Sequence, residues 1–408
     1  MRRKKVCRFL IALFPVLFIV PSMVCAEPFK FTSSTQFLWG DDLLGESQSI
    51  IAQYLRFSVN QDDKTYKMTG YGRVWKDFSD GGLRDDDLLG RLYYLYMDYL
   101  PSEKVSFRLG RQFVRFTASG SSIIDGLSID VGKVGPLNIT FSGGRDVVFT
   151  LDSERSKSGN YFAGININTE AIKSTQLGFS YIRKYDLSDL ARERFGMNVR
   201  YFNSYLSPYA ELRYDRLSES LDEAVVGIDF FPMNNVTVKG EFYHSYPIFD
   251  STSIYSVFAV DKFREYLMTL EYSFDAPASV YFTYAKQTYE DSENADRFTV
   301  GARYVPTKNF SVNAAVDYRK GYGGNIWGFE VYCDYKPKKN IRLSAGVQHD
   351  KYRRTEFEDE NYDYAQSYWL GGEWIIDKNF TQNFRLEENI NENFEHRPLG
   401  RIALIWNL

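Results

Sequence analysis

The three histidines, His244, His349 and His396, are the side chains in this sequence best suited to metal binding or proton transfer. No two of them stand at the short spacing that metal ligands on one element use. Ser245 follows His244 directly, but neighbouring residues on a strand point to opposite faces, which separates a nucleophile from its base. The sequence therefore predicts no enzyme and no cofactor, and it favours ordinary polar positions for these histidines.

Two acidic runs offer a second kind of chemistry. They are Asp85–Asp87 and the segment from Glu356 to Glu360. Carboxylate oxygens are ligands that Ca²⁺ accepts, so weak calcium binding is one interpretation. The commoner interpretation of such runs is solvated charge on a loop.

Most other charged residues alternate with apolar ones. In residues 297–321, RFTVGARYVPTKNFSVNAAVDYRKG, two alternating stretches flank a Pro-Thr-Lys-Asn turn. A period of two predicts β-strands with one apolar and one polar face. The same pattern recurs in residues 266–274, 327–336 and 341–348.

The connections between these strands are of two kinds. One set is short and rich in Pro and Asn, as in residues 305–309 and 336–340, which suits tight turns. The other set is longer, polar and often acidic, as in residues 79–87 and 353–365. Short turns at one end and long loops at the other are typical of outer-membrane barrels.

The amino terminus predicts export. A basic segment, MRRKKVCR, precedes the apolar stretch FLIALFPVLFIVPSMV and the small-x-small sequence Val24-Cys25-Ala26. We predict a signal peptide at residues 1–26 that is removed after Ala26; an uncleaved membrane anchor is the less favoured alternative. The mature chain would carry 44 basic residues (49 − 5) and 53 acidic ones, a formal charge of −9. It therefore has no basic footprint for nucleic acid.

Export and composition together favour a membrane barrel. The chain contains 31 Tyr, 32 Phe and 6 Trp, and aromatic residues cluster at strand ends, which suits interfacial girdles. After cleavage only Cys333 remains, so no internal disulfide can form. A soluble propeller or sandwich would leave the polar opposite faces and the unequal turns unexplained. We predict an all-β fold, one transmembrane antiparallel β-barrel over residues 27–408.

The turns predict about 22 strands, with 18 or 20 as alternatives. Strand 1 is expected to start near Phe29, and the last strand is expected at Arg401–Leu408. The boundaries are least defined in residues 146–175 and 377–400. If the apolar faces meet lipid, the opposite faces line a lumen, because charged side chains are costly against lipid. The predicted pore-lining residues are Arg108, Arg111, Arg200, Arg213, Asp229, Glu241, Glu271, Arg303, Asn313, Asp317, Arg319, Glu330, Asp334, Arg342 and Glu373.

Arg111 stands out in this set because it is in phase with the apolar Leu109. We expect a bulge near Gly110 to turn it inward. The charges as a whole have two interpretations that remain open together. They filter solutes electrostatically, or they form cross-strand ion pairs that brace the wall.

A short segment resembles the outer-membrane porin and channel families. Residues 108–112 read RLGRQ, Phe113-Val114-Arg115 follow, and Ile124-Asp125-Gly126-Leu127 open the next strand. In porins similar to this, the strand leads into the loop that narrows the pore. Here the segment between Gln112 and Asp125 is short for a loop that folds deep into the lumen, which argues against a tight constriction.

The chain also resembles the porin-like partners of multihaem cytochromes in metal-reducing bacteria. The first resemblance implies a channel for passive passage of small hydrophilic solutes or ions. The second implies a barrel sheath around a multihaem cytochrome in an electron-transfer conduit. The expected location is the outer membrane of a Gram-negative cell. The expected partners are outer-membrane lipid, possible further copies of the chain and, under the second interpretation, the cytochrome.

Overall fold

The structure is a computed structural model. It describes residues 29–408 except for residues 43–44, 62–64, 80–87, 150–153, 156–158, 247–261, 291, 323 and 354–361. Within this part of the chain the regular structure is β-strand throughout, and no helix occurs. No helix long and apolar enough to cross a membrane is found among these residues. The predicted signal peptide lies outside the described residues.

The strands follow one another along the whole described chain. Their bounds are β1 Phe29–Asp41, β2 Ser47–Asn60, β3 Tyr66–Asp77, β4 Leu89–Ser102, β5 Val105–Phe116, β6 Gly120–Val134, β7 Leu137–Asp146, β8 Val148–Phe149, β9 Glu154–Arg155, β10 Tyr161–Thr169, β11 Thr175–Asp186, β12 Asp189–Tyr201, β13 Leu206–Asp215, β14 Ser220–Met233, β15 Val236–Ser245, β16 Phe263–Ser273, β17 Ala278–Tyr289, β18 Ala295–Thr307, β19 Phe310–Gly321, β20 Asn325–Lys338, β21 Ile341–Arg353, β22 Asp363–Ile375, β23 Phe380–Asn391 and β24 Phe394–Asn407.

These strands form one closed antiparallel barrel. The sheet has 22 strands, and each pairs with its neighbours in sequence. β7 pairs with β10, while the short strands β8 and β9 form a separate two-stranded ladder in the connection between them. β1 pairs with β24 from Thr32 opposite Asn407 to Gly40 opposite Leu399, which closes the ring. The predicted fold class, an all-β antiparallel barrel of the transmembrane type with about 22 strands, is confirmed.

Every wall strand has two chemically different faces. In β18 the side chain of Val300 is 56% exposed, and its register partners, Phe282 on β17 and Val316 on β19, are exposed as well. Exposed apolar side chains recur on the same face in most of the other strands. We call this face the outer face and the opposite one the inner face. An exposed apolar band around a closed barrel suits contact with lipid.

Glycines opposite aromatic rings fix the register on both faces. A Cβ added to Gly400 on β24 would occupy the space of the Trp39 indole ring on β1, its register partner. Tyr281 lies over Gly301 in the same way. Because only glycine leaves this space, a slip of one residue would drive a side chain into each ring. One of these contacts therefore secures the strand pair that closes the barrel.

The last strand begins earlier than the sequence predicted. β24 starts at Phe394 rather than at Arg401. It pairs with β23 from Phe394 opposite Asn391 to Trp406 opposite Phe380. The segment before Arg401 carries Pro398 and lacks a regular apolar alternation, so its strand character follows from pairing with β23 rather than from its own pattern. The predicted start of the first strand at Phe29 is confirmed.

Candidate functional site

The hairpin of β5 and β6 leaves the barrel wall before its tip. Pairing of β4 with β5 ends where Leu95 lies opposite Arg111. Pairing of β6 with β7 ends where Ile124 lies opposite Asp146. The two hairpin strands stay paired with each other up to Phe116 opposite Gly120. Residues 112–123 therefore form a flap outside the ladders with β4 and β7, and its last link to the wall is the Val147 N–H, which donates to the Ile123 carbonyl oxygen at 2.9 Å.

A row of glycines permits the bend at the base of this flap. Gly110, Gly126 and Gly144 lie opposite one another on β5, β6 and β7. Gly110 has φ +123°, a conformation that L side chains rarely adopt. A Cβ on Gly126 would collide with the Gly143 carbonyl oxygen, and a Cβ on Gly144 would collide with the Asp125 carbonyl. The row lets the backbones of β5, β6 and β7 approach closely, so that the hairpin can bend at these three residues.

The flap folds back and docks on the inner face of β10, β11 and β12. The Ala118 N–H donates to Ser180 Oγ at 2.8 Å, and the Thr117 hydroxyl donates to Asn198 Oδ1 at 2.9 Å. Buried apolar side chains fill the contact: Val114, Phe116, Ala118, Ile124, Phe162 and Ile182. A closely packed apolar cluster of this kind holds the flap in one position.

The expectation that this segment is too short to fold into the lumen was therefore wrong, while the expected absence of a tight constriction stays a prediction. The connecting turn is short, but β5 and β6 themselves supply the reach. The glycine row continues across the sheet from Gly144 through Phe162 to Lys184 of β11. If β5 and β6 continued straight, Ala118 would lie beyond this line, on the side of the β11–β12 turn. Ala118 instead contacts Ser180, which lies on the opposite side of the line, so the hairpin folds back.

Fourteen of the 15 predicted pore-lining residues lie on the inner face. Most of them alternate with exposed apolar side chains; Glu271, for example, lies between Leu270 and Tyr272, and Asp317 lies between Val316 and Tyr318. The others are Arg108, Arg200, Arg213, Asp229, Glu241, Arg303, Asn313, Arg319, Glu330, Asp334, Arg342 and Glu373. Their role in lining a pore stays a prediction.

Several of these side chains pair with each other or with inner-face neighbours. Arg342 Nη2 lies 2.9 Å from Asp334 Oδ1, and Arg213 Nη1 lies 2.8 Å from Glu223 Oε2. Arg108 Nε lies 2.6 Å from Asp98 Oδ1. Further contacts join Lys239 to Glu241, the Thr299 hydroxyl to Asp317, Arg319 to the Tyr289 hydroxyl, and the Arg200 guanidinium to the Tyr209 ring. Wall bracing accounts for these residues.

Others carry no hydrogen bond or ion pair within the part of the chain that the structure describes. They include Asp229, Glu271, Arg303, Asn313 and Glu373. Such side chains keep their polar groups available to solvent and solute. The inner face thus combines braced and unengaged charges. The bracing interpretation holds for the paired residues, and electrostatic filtering by the others stays a prediction.

Arg111 differs from the other predicted residues. It shares a face of β5 with Leu109, and the register shows no bulge at Gly110, so that part of the prediction was wrong. The positive φ of Gly110 supplies the bend instead. Arg111 donates two hydrogen bonds to Asp125, from Nε to Oδ1 at 2.7 Å and from Nη2 to Oδ2 at 2.8 Å. Its Nη1 donates a third to the Leu92 carbonyl oxygen at 3.1 Å. Its guanidinium therefore bonds to the backbone of β4 beyond Leu95, where β5 is no longer paired with that strand.

One group of inner-face residues was missed from the sequence. We call it the arginine–tyrosine patch, and it comprises Tyr54, Arg56, Tyr71, Arg73, Trp75 and Tyr94 on β2, β3 and β4. The rings of Tyr54 and Tyr71 stack at 6.4 Å and those of Tyr71 and Tyr94 lie 5.6 Å apart. The tyrosine-rich run RLYYLYMDYL at residues 91–100 was a usable signal for it.

A second missed group is a buried ion network beside the docked flap. Arg194 contacts Asp215 at 3.2 Å and Asp222 at 2.9 Å, and all three side chains are at least nine-tenths buried. Asp215 also accepts the backbone N–H groups of Leu217 and Ser218 at the next turn. Because a buried charge must be paired, this network braces the wall where the flap rests.

The histidines show no site chemistry. His244 is buried and its Nε2 lies 3.2 Å from the Leu221 carbonyl oxygen. His349 packs against the Phe329 ring, and His396 Nδ1 lies 3.2 Å from Glu388. No group of three or more potential metal ligands occurs among the described residues. The two acidic runs, for which calcium binding was the less favoured interpretation, lie outside the described residues.

Comparison with known proteins supports the fold. No family model matches the chain, and no curated protein matches it. Among solved structures, the P pilus usher (PapC) translocation pore aligns with a TM-score of 0.54 and 10% identity, over 93% of this chain and 99% of that one. A second structure of the same pore aligns with a TM-score of 0.51 and 8% identity, over 93% and 99%. This likeness shows a shared barrel architecture.

A further solved structure aligns less well. OccK5 (OpdH) from Pseudomonas aeruginosa gives a TM-score of 0.47 at 10% identity, over 94% of this chain and 98% of that one.

Proposed function

We propose that this chain is an outer-membrane channel for passive passage of small hydrophilic solutes or ions. The observation that carries the proposal is the two-faced closed wall, apolar outside and polar inside, with the flap folded into it. A ring of 22 strands is wider than the 16–18-stranded porins that already hold an aqueous channel. The flap takes up part of that width and leaves a passage past its exposed side.

The proposed location is the outer membrane of a Gram-negative cell, reached after cleavage of residues 1–26. The exposed apolar band on the outer face supports contact with lipid. Self-association of the barrel stays a prediction.

The alternative function is a sheath for a multihaem cytochrome. The docked flap disfavours it, because residues 112–123 fill lumen space that an enclosed protein would need. A free channel has no such conflict.

The test of the proposed function is a planar-bilayer recording of the purified full-length protein after natural processing. A channel gives steady conductance steps that are linear in voltage and scale with salt concentration. Absence of steps from a correctly folded barrel would contradict the proposal. A haem stain of the protein purified from its native membrane separates the two functions, because a sheath carries a stoichiometric haem protein and a free channel does not.

A further inference from the structure

We infer that the arginine–tyrosine patch binds a small aromatic carboxylate on its way through the channel. The inference deepens the proposed function, because it names the solute class that one part of the inner wall recognises. Its basis is a cluster of cations that the wall packs against rings rather than against carboxylates.

The arginines of the patch are held by aromatic groups. The Arg73 guanidinium lies 4.0 Å from the centre of the Trp75 ring, and its Nη1 lies 3.3 Å from the Tyr54 hydroxyl. Arg56 interacts with the Tyr94 hydroxyl. Neither Arg56 nor Arg73 has a carboxylate within ion-pair distance among the described residues. Their positive charges are therefore uncompensated by the described part of the chain.

The register adds a further positive charge. Arg73 lies directly opposite Arg91 on β4, whose guanidinium also lies near the Trp75 ring, at 5.7 Å. Like charges directly opposite each other destabilise a sheet. Arg91 has further interactions of its own, so the uncompensated charges of the patch are those of Arg56 and Arg73.

The patch lies beside the flap. Phe113, on the exposed side of the flap, meets the Tyr94 ring edge-on with centroids 5.9 Å apart. Arg115, two residues further along the same face of β5, also has no ion-pair partner among the described residues. A solute that passes along the exposed side of the flap therefore meets the patch.

The chemistry selects the ligand class. A guanidinium binds a carboxylate through two parallel hydrogen bonds, and it does so best where aromatic surroundings exclude water. Tyrosine rings offer edge and face contacts to a second ring, so a flat ring on the anion adds affinity. The same arginines repel a solute that carries an aromatic ring and a positive charge.

Isothermal titration of the full-length barrel in detergent tests the inference, with benzoate, acetate and benzylammonium as probes. We expect measurable benzoate binding, at least fivefold weaker acetate binding and no benzylammonium binding. Arg73→Gln and Arg56→Gln should each weaken benzoate binding at least fivefold. The matched control Arg264→Gln removes an exposed arginine from the outer face of β16 and should change benzoate binding less than twofold.

Two results would overturn the inference: equal binding of benzoate and acetate by the wild-type barrel, or unchanged benzoate binding in both patch variants. A gel shift between unheated and heated samples confirms that each variant is folded. Titration needs no conductance, so a barrel that binds benzoate but does not conduct would contradict the proposed function alone. A barrel that conducts without benzoate preference would contradict this inference alone.

Discussion

At the scale of the residue, the alternation of side chains decides which environment each one meets. Thr299 and Val300 are neighbours on β18, yet the Thr299 hydroxyl donates to Asp317 at 2.5 Å on the inner face while Val300 is exposed on the outer face. The sequence pattern alone predicts this difference, because strand geometry forces it. It does not predict the partners, since these depend on register between strands.

We predict that Val300→Arg and Thr299→Arg have very different effects on stability. An arginine at position 300 would face lipid at the middle of its strand, which costs about 2–4 kcal/mol. An arginine at position 299 would face Asp317 and should cost less than about 1 kcal/mol. Urea-induced unfolding of the barrel in liposomes measures both free energies. Equal losses in the two variants would contradict the assigned faces.

At the scale of the element, the flap is held by packing that residue patterns do not reveal. The sequence contains the glycines of the row, and the RLGRQ and IDGL segments that resemble porins include two of them, Gly110 and Gly126. Their meaning becomes visible only when β5, β6 and β7 are in register. The docking contact joins Phe116 to Phe162, which are far apart in sequence, so local periodicity could not predict the fold-back.

We predict that Phe116→Ala releases the flap and raises the conductance. Phe116 is buried against Phe162 and Ile182, and removing a buried phenylalanine side chain costs about 3–5 kcal/mol of packing. The released flap should give larger and noisier conductance steps in a planar bilayer.

The matched control for this prediction is Phe179→Ala, which removes an exposed ring from the outer face of β11. It should leave the conductance unchanged. A Phe116→Ala barrel with wild-type steps would show that the flap does not limit the passage.

At the scale of the whole molecule, closure depends on one pair of strands that are distant in sequence. The sequence predicted the number of strands well, because turns and alternation are local signals. It misplaced the start of β24, which takes part in the closing pair, because pairing there overrides a weak local pattern. The Trp39 ring over Gly400 is the side-chain contact that fixes this pair in register.

We predict that Gly400→Ala destabilises the closed ring. The added methyl group would overlap the Trp39 indole, and overpacking of this kind costs about 1–3 kcal/mol. The fraction of barrel that resists unfolding in detergent at rising temperature measures the effect. Gly240→Ala is the control, because its Cβ would meet only Ile228 at an ordinary 3.6 Å. A loss of the same size in both variants would contradict a special role for the Trp39 contact.

The departure of the flap also changes the shape of the barrel. Between the short turns and the glycine row the wall contains 22 strands. On the loop side of Leu95 and Ile124, β5 and β6 are no longer paired with β4 and β7. Phe149 of the β7–β10 connection lies across the gap, 5.8 Å from Tyr93 of β4 and 5.0 Å from the Arg91 guanidinium. At the loop end the wall therefore contains 20 paired strands and a gap between β4 and β7. The crease that folds the flap inward thus also opens the wall at the loop end, where Phe149 rather than a paired strand stands between β4 and β7.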